Sequence, residues 1–152
     1  MKRCEWIGRE CTIRTYSVYF YNKLMWGELD FWRILVEYFL EEAESIRIDC
    51  WNEEENIINE ILPFSISVDK ESSERMTILT LPVTEKTVEQ ILYNSFDEKR
   101  RIKWFSLFLK RDGEVFFSSE HYGKEFSIMG ITKDELKWVK CVVPKNFIFH
   151  TY

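Results

Sequence analysis

Residues Glu28 to Trp51, ELDFWRILVEYFLEEAESIRIDCW, combine an apolar helical pattern with a short alternating pattern. At 100° per residue, apolar side chains cover about two-thirds of the helical circumference. These side chains belong to Phe31, Trp32, Ile34, Leu35, Val36, Tyr38, Phe39, Leu40 and Ala43. A surface helix normally has a narrower apolar stripe, so we expect a core helix, roughly Leu29 to Ser45, that other elements cover on several sides.

The whole chain is short enough for one domain and rich in residues that build a core. It has 152 residues, of which 45% are hydrophobic and 16% aromatic, and each aromatic ring brings a large apolar area. The four cysteines are Cys4, Cys11, Cys50 and Cys141. They form no CxxC pair, no apolar leader follows the charged start, and no apolar run reaches the length of about 20 residues that crosses a bilayer. We therefore expect a cytoplasmic protein with free thiols and no membrane contact, although a disulfide between Cys4 and Cys11 is compatible with the sequence.

Apolar and polar patterns predict the order β-α-β-α-ββ-α-βββ-α-β. The predicted strands are Cys11–Tyr21, Ile46–Trp51, Phe64–Val68, Arg75–Leu81, Trp104–Leu109, one between Gly113 and His121, Phe126–Met129 and Phe147–Thr151. Residues 1–10 have no periodicity and are expected to be loosely ordered. Long hairpins beside separate helices predict a single α+β domain, in which about four helices pack on a largely antiparallel sheet of about 7–8 short strands.

Short motifs predict where three helices begin. Asn52 with Glu55, and Thr132 with Glu135, have the spacing of capping boxes, and Thr84 has the position of an N-cap. In this interpretation the acidic residues after Asn52 lie in the first turn of a helix, where the helix dipole favours them.

The dipeptide Asp112-Gly113 predicts a two-residue hairpin with a type I′ turn. The register that follows pairs Leu109 with Phe116, Phe108 with Phe117, and Arg111 with Glu114. Residues 64–110 and 114–151 can each be written as ββαβ, which suggests an internal repeat; shared capping chemistry explains the similarity equally well.

Motifs for metal, nucleotide and nucleophilic chemistry are missing from the sequence. The five glycines form neither a GxGxxG nor a P-loop pattern, and Asp49 with Glu53, Glu54 and Glu55 lacks the layout of a calcium loop. Cys141 can be drawn beside His121 or His150 as a nucleophile pair, but no motif supports the pair. We therefore predict no metal, no cofactor and no enzymatic activity.

A basic run, Lys99-Arg100-Arg101 with Lys103, precedes Trp104. Basic residues beside an aromatic side chain can track a nucleic-acid backbone and stack a base. Because Trp104 falls in a predicted buried strand, the run is interpreted instead as a helix end whose cations suit the dipole, and no direct binding of nucleic acid is expected.

Acidic residues are concentrated between Glu41 and Glu60. This window contains eight acids and one base, so its own net charge is −7. The net charge of the whole chain is −5, and the other 132 residues therefore sum to +2. The residues that we expect to bind a partner are Glu41, Glu42, Glu44, Asp49, Trp51, Glu53, Glu54 and Glu55. Exposed acids also keep a protein soluble, which is the simpler explanation of the same charges.

The leading functional hypothesis is a small protein-binding inhibitor of the immunity-protein or phage-inhibitor type. Its acidic surface would meet a basic partner, such as a toxin or a nucleic-acid-binding enzyme, and Trp51 would be an aromatic anchor. One alternative is an enzyme or small-ligand-binding domain whose pocket forms only in the fold, near Glu120, His121 and Tyr122. Another is a structural subunit of an assembly, which would expose a broad apolar patch. The oligomeric state does not follow from the sequence.

Overall fold

The computed structural model describes residues 5–7, 10–12, 16–24, 29–71 and 75–152. Ten strands and four helices lie within these ranges. The strands are β1 Glu5–Ile7, β2 Glu10–Thr12, β3 Tyr16–Asn22, β4 Ser45–Trp51, β5 Ser67–Glu71, β6 Met76–Pro82, β7 Ser106–Arg111, β8 Glu114–Glu120, β9 Glu125–Ile131 and β10 Phe147–Thr151. The helices are α1 Asp30–Leu40, α2 Glu55–Ile61, α3 Glu85–Tyr93 and α4 Lys133–Val142, and a 3₁₀ turn covers Leu62–Phe64.

Eight strands form one antiparallel sheet in the order β10-β3-β9-β8-β7-β4-β6-β5, and β1 pairs separately with β2. The predicted α+β class and the order of elements are confirmed. In one half of the sheet, β6 and β7 flank β4 and are joined by α3; in the other half, β9 and β10 flank β3 and are joined by α4. Each half is therefore a β-α-β-β-α-β unit, and the first unit (45–111) is inserted into the second, between α1 and β8.

The four helices pack against a single face of this sheet. Helix α1 buries Phe31, Trp32, Leu35, Val36, Phe39 and Leu40, as its wide apolar surface predicts. The rings of Phe31 and Phe126 lie 5.7 Å apart, and those of Phe39 and Phe117 lie 5.2 Å apart. The indole of Trp32 donates a 2.9 Å hydrogen bond to the buried Ser119 hydroxyl of β8. Helix α1 thus lies at the centre of an aromatic-rich core, and none of the four described helices covers the other face of the sheet, which we call the open face. Among the described residues, no helix is long and apolar enough to cross a bilayer.

Helix α1 is shorter than predicted. It ends at Leu40 instead of Ser45, because the chain turns at Glu41 and Glu42 and then enters the sheet. The amide of Glu44 already donates a 2.8 Å hydrogen bond to the Lys110 carbonyl of β7. Tertiary pairing therefore overrides the helical tendency of this glutamate-rich segment.

Two predicted helix starts are confirmed and one is wrong. Thr84 caps α3, and Thr132 with Glu135 forms a complete capping box at the start of α4. At α2, the N-cap is Glu54 and no side chain caps the helix. The Asn52 side chain accepts a 2.7 Å hydrogen bond from Thr77 of β6 instead. Glu53 and Glu54 therefore precede the helix.

The Asp112-Gly113 turn is confirmed, since both residues have positive φ (53° and 77°), as a type I′ turn requires. Arg111 faces Glu114 as predicted. Between Leu109 and Lys110 the register shifts, so that Leu109 pairs with Phe117 and Phe108 pairs with Ser118. The predicted register of these two pairs is wrong because of a β-bulge, which turns two consecutive side chains to the same side. Phe116 and Phe117 are accordingly both buried.

The first predicted strand corresponds to two observed ones. β2 takes Glu10–Thr12 and β3 takes Tyr16–Asn22, while residues 13–15 lie outside the described residues. The suggested disulfide also lies outside them, since Cys4 and the side chain of Cys11 are not described. Within residues 1–10, β1 and part of β2 are described as a short antiparallel pair.

Candidate functional site

Strand β4 divides the acidic window into two groups. Glu41, Glu42 and Glu44 precede the strand, whereas Glu53, Glu54 and Glu55 follow it, and seven residues of strand separate the groups by about 20 Å. The eight predicted partner-binding residues therefore do not form one continuous surface.

The first acidic group contacts the β7–β8 hairpin. The carboxylate of Glu42 forms an ion pair with Arg111, and that of Glu44 accepts a 3.2 Å hydrogen bond from the Asp112 amide. Because α1 ends at Leu40, Glu42 and Glu44 lie beyond the helix and are stabilised by this hairpin. Glu41 is the exposed C-cap of the helix. Acidic side chains in the last turn of a helix are destabilised by the helix dipole. Glu42 and Glu44 avoid this cost because they lie beyond the end of α1.

The second group gathers around the C-terminal end of β4. Glu53 and Glu55 are exposed, whereas Glu54 is half-buried. The Glu54 carboxylate accepts a 2.8 Å hydrogen bond from the Trp51 amide and a 3.4 Å hydrogen bond from the Tyr122 hydroxyl. Glu54 therefore fixes the turn that presents the exposed acids Glu53 and Glu55.

Strand register extends this acidic end across the open face of the sheet. Asp49 pairs with Ser106, Ser106 with Glu120, and Glu120 with Glu125, so the four side chains lie in one row over four neighbouring strands. Arg47 binds the Asp49 carboxylate with two hydrogen bonds, of 2.7 and 2.8 Å. Glu120 and Glu125 are half-buried. Sequence reasoning missed this row because its members come from distant segments that only the register brings together.

The acidic row affects the ionisation of a nearby phenol on the same face. The pKa of Tyr19 in β3 is raised, first by burial and then by the charge of Glu125, with smaller contributions from neighbours that include Tyr21 and Glu120.

Three aromatic side chains lie beside the acidic row. The ring of Phe105 is 4.9 Å from that of Trp51 and 5.4 Å from that of His121. His121 Nδ1 is 3.2 Å from the Glu125 carboxylate. Trp51 and Phe105 are half-buried, so each ring keeps part of its surface in solvent. We name the combined feature the acidic–aromatic surface; it consists of Trp51, Glu53, Glu55, Phe105, Glu120, His121 and Glu125, whereas Asp49 is buried against Arg47 beneath it.

No protein-family model, curated protein or solved structure matches this chain. The surfaces of the chain itself are therefore the basis on which a function is proposed.

A second feature is a cleft of about 730 Å³ on the other side of Tyr122. Its lining includes five basic side chains, Lys99, Arg100, Arg101, Lys103 and Lys124, and two acidic ones, Glu54 and Asp97. We name it the basic cleft. Of the three residues near which a pocket was predicted, only Tyr122 lines it; Glu120 and His121 belong to the acidic–aromatic surface instead. Sequence reasoning assigned the basic residues to a helix end, but α3 ends at Tyr93, well before them.

Trp104 is buried with 1% of its surface exposed. It therefore belongs to the core, as predicted from its apolar neighbours, and is not available for stacking a base.

The suggested pair of Cys141 with His150 is not formed. Cys141 is exposed on α4, and this helix packs against the covered face of the sheet. His150 lies on the open face, where it pairs in register with Tyr19. Within the described ranges, no group of three or more His, Cys, Asp or Glu side chains is arranged to hold a metal ion.

Cys50 and Cys141, the two cysteines whose side chains are described, are expected to differ strongly in reactivity. Burial, together with the negative charges of Glu54 and Asp49, raises the pKa of the Cys50 thiol to about 12. Since only the thiolate reacts, about one Cys50 in ten thousand is reactive at pH 8. We expect iodoacetamide at pH 8 to modify Cys141 and to leave Cys50 unmodified in the native protein.

Peptide mass mapping measures both cysteines in one sample, and labelling in urea is the control in which Cys50 must become accessible. Equal labelling rates for Cys50 and Cys141 in the native state would contradict the assigned burial.

Proposed function

We propose that this protein is a small protein-binding inhibitor, of the immunity-protein or phage-inhibitor kind, and that its acidic–aromatic surface meets a basic partner. The observation that carries the proposal is the register of β4, β7, β8 and β9, which continues the row from the buried Asp49 to the half-buried Glu120 and Glu125, beside the rings of Trp51 and Phe105. This row lies on the sheet face that the helices leave open.

The two components of the surface suit the two requirements of a protein interface. Aromatic side chains that become buried in the complex dominate the binding energy of many interfaces. Trp51 and Phe105 are partly exposed in the free protein and supply such anchors. The surrounding carboxylates supply charge complementarity, which accelerates association with a basic protein and selects against acidic ones. A toxin or an enzyme that binds nucleic acid presents the basic groove that fits this surface.

The proposed surface retains part of the set expected from the sequence. Trp51, Glu53 and Glu55 belong to it, and Glu54 supports it through the Trp51 amide. Asp49 is buried and paired with Arg47, so it is not available to a partner. Glu41, Glu42 and Glu44 lie at the opposite end of β4, so we assign them no role in binding.

The test is a charge reversal with a matched control. A basic partner is isolated by co-purification from the native cell, and its affinity is then measured with purified proteins. The variant Glu53→Lys, Glu55→Lys and Glu125→Lys is expected to weaken binding by about 100-fold or more at low salt, because it replaces attraction with repulsion.

The control variant reverses the same number of charges at Glu37, Glu41 and Glu89, which are exposed outside the surface. It is expected to change the affinity by less than about threefold, because Glu37 and Glu89 lie on helices packed against the other face of the sheet and Glu41 caps α1. Trp51→Ala tests the anchor and is expected to cost about 2 kcal/mol. Equal losses in both triple variants, unchanged affinity in the first, or the absence of any basic partner would contradict the proposal; circular dichroism verifies that each variant is folded.

A further inference from the structure

The basic cleft concentrates positive charge in a protein of net charge −5. Among the described residues of its lining, five basic and two acidic side chains sum to +3, and three aliphatic side chains, Leu29, Ile57 and Ile102, form the apolar part. Its volume of about 730 Å³ is within the range of about 300–1,000 Å³ that small-molecule sites occupy.

The loop that carries most of these cations is held in a defined conformation by Asp97. The Asp97 carboxylate accepts hydrogen bonds of 2.9 Å from the amides of Lys99 and Arg101 and from the Arg101 side chain. Burial alone would raise the pKa of Asp97, but these hydrogen bonds and the charge of Arg101 outweigh it, and the pKa is lowered. A bridge between Phe96 and Ile102 closes the base of the loop.

The opposite wall is the tip of the β8–β9 hairpin, which is equally defined. His121, Tyr122 and Gly123 all have positive φ, of 52°, 58° and 77°. The Tyr122 amide donates a 3.0 Å hydrogen bond to the Phe105 carbonyl, and the Lys124 amide donates one of the same length to Glu120. Two consecutive non-glycine residues in the left-handed region are costly, and such strain is found preferentially at functional sites.

Three of the five cations form ion pairs within the protein and two do not. Arg101 pairs with Asp97 at 2.9 Å, and Lys103 pairs with Glu60 at 2.8 Å. Arg100 forms a longer, exposed pair with Asp30 at 3.7 Å, which contributes little and leaves the guanidinium accessible to an anion. Lys99 and Lys124 form no ion pair with any described residue. These two lysines on facing walls are therefore available for an anion between them.

We propose that the basic cleft binds a small organic phosphate that also carries hydroxyl groups, such as a sugar phosphate or a nucleotide. Lys99, Lys124 and the exposed Arg100 contact the phosphate, since lysine and arginine are the usual side chains for this anion. Glu54 and Tyr122 lie together in the lining, and the Tyr122 hydroxyl donates its proton to Glu54, so both side chains accept hydrogen bonds from the hydroxyl groups of the ligand. The aliphatic side chains contact the apolar part of the ligand.

The ionisation of Tyr122 is consistent with its role as the donor to Glu54. Burial, followed by the charge of Glu54 and its hydrogen bond, raises the pKa of the phenol to about 12. The hydroxyl is therefore protonated throughout the physiological range and donates a hydrogen bond.

The proposal is tested by isothermal titration of the purified protein with ATP, ribose 5-phosphate and pyrophosphate, with ribose as the uncharged reference. We expect ATP or ribose 5-phosphate to bind at least ten times more tightly than ribose. The variant Lys99→Glu, Lys124→Glu is expected to lose at least tenfold in this affinity. The control variant Lys133→Glu, Lys137→Glu, which changes the same charge on exposed positions of α4, should stay within about twofold of the wild type.

Three results would overturn the proposal: no binding of any phosphorylated probe up to 10 mM, equal loss in the test and control variants, or tighter binding of a single-stranded oligonucleotide than of every small probe. The last result would assign the cations to nucleic acid. Preference for pyrophosphate over both organic probes would also contradict the roles of Glu54 and Tyr122, because pyrophosphate carries no hydroxyl groups for them. This test is independent of the partner-binding proposal, since its charge reversals lie outside the acidic–aromatic surface.

Discussion

Replacement of Trp32 by alanine is expected to reduce the free energy of unfolding by about 3–5 kcal/mol. The side chain is fully buried in the first turn of α1, and its indole donates to Ser119 of β8. The substitution removes a large apolar volume and leaves the Ser119 hydroxyl without this donor. For a domain whose total stability is about 5–15 kcal/mol, such a loss brings the protein close to unfolding at room temperature.

Urea denaturation, followed by circular dichroism, measures this loss. Trp32→Phe is the matched control, because it keeps most of the buried area but removes the hydrogen bond to Ser119. Loss of this hydrogen bond is expected to cost about 1–3 kcal/mol. If Trp32→Ala cost less than about 1 kcal/mol, the position of α1 at the centre of the core would be wrong.

Replacement of Gly123 by alanine is expected to cost about 2–4 kcal/mol, from two separate causes. Its φ of +77° is unfavourable for any residue with a Cβ atom. The added Cβ would also lie 3.1 Å from Ile102 Cγ1 and 3.3 Å from Trp32 Cδ1, both of which are packed side chains. Ile102 and Trp32 would have to shift, and the hairpin tip that carries Tyr122 would shift with them.

Gly113 allows the two causes to be separated. It has the same φ of +77°, but nothing lies within 4 Å of an added Cβ. Gly113→Ala is therefore expected to cost only the conformational part, about 1–2 kcal/mol. Thermal unfolding of both variants measures the difference, and equal losses would rule out the close packing of Gly123.

Local patterns were sufficient to predict most of the fold. Thr84, Thr132 with Glu135, and Asp112-Gly113 act through residues within one turn, so their spacing in sequence determines their geometry. The end of α1 at Leu40 and the loss of the cap at Asn52 were not predictable in this way. In both cases a contact with a distant strand, Lys110 of β7 or Thr77 of β6, competes successfully with the local pattern.

The candidate sites were less predictable than the fold. A window of sequence identified Asp49 and Glu53 as part of an acidic region, but it also included Glu42, which lies at the far end of β4. It could not include Glu120 and Glu125, which reach Asp49 only through strand register. The basic cleft is similar, because its walls come from the loop at 97–103 and the hairpin tip at 121–124.

The insertion of one β-α-β-β-α-β unit into another has a consequence for how the chain folds during synthesis. Residues 45–111 form a continuous unit whose four strands, β4 to β7, can pair with one another once Arg111 has been made, while β8 is added to β7 later. Strand β3 and helix α1 are synthesised earlier, yet the neighbours of β3 in the sheet, β9 and β10, come from the last fifth of the chain. Since a non-local pairing must await its partner, the inner unit is expected to fold first and the outer unit to close around it last. Until then the most apolar helix of the protein remains without its final covering, and this is the stage of synthesis most exposed to aggregation.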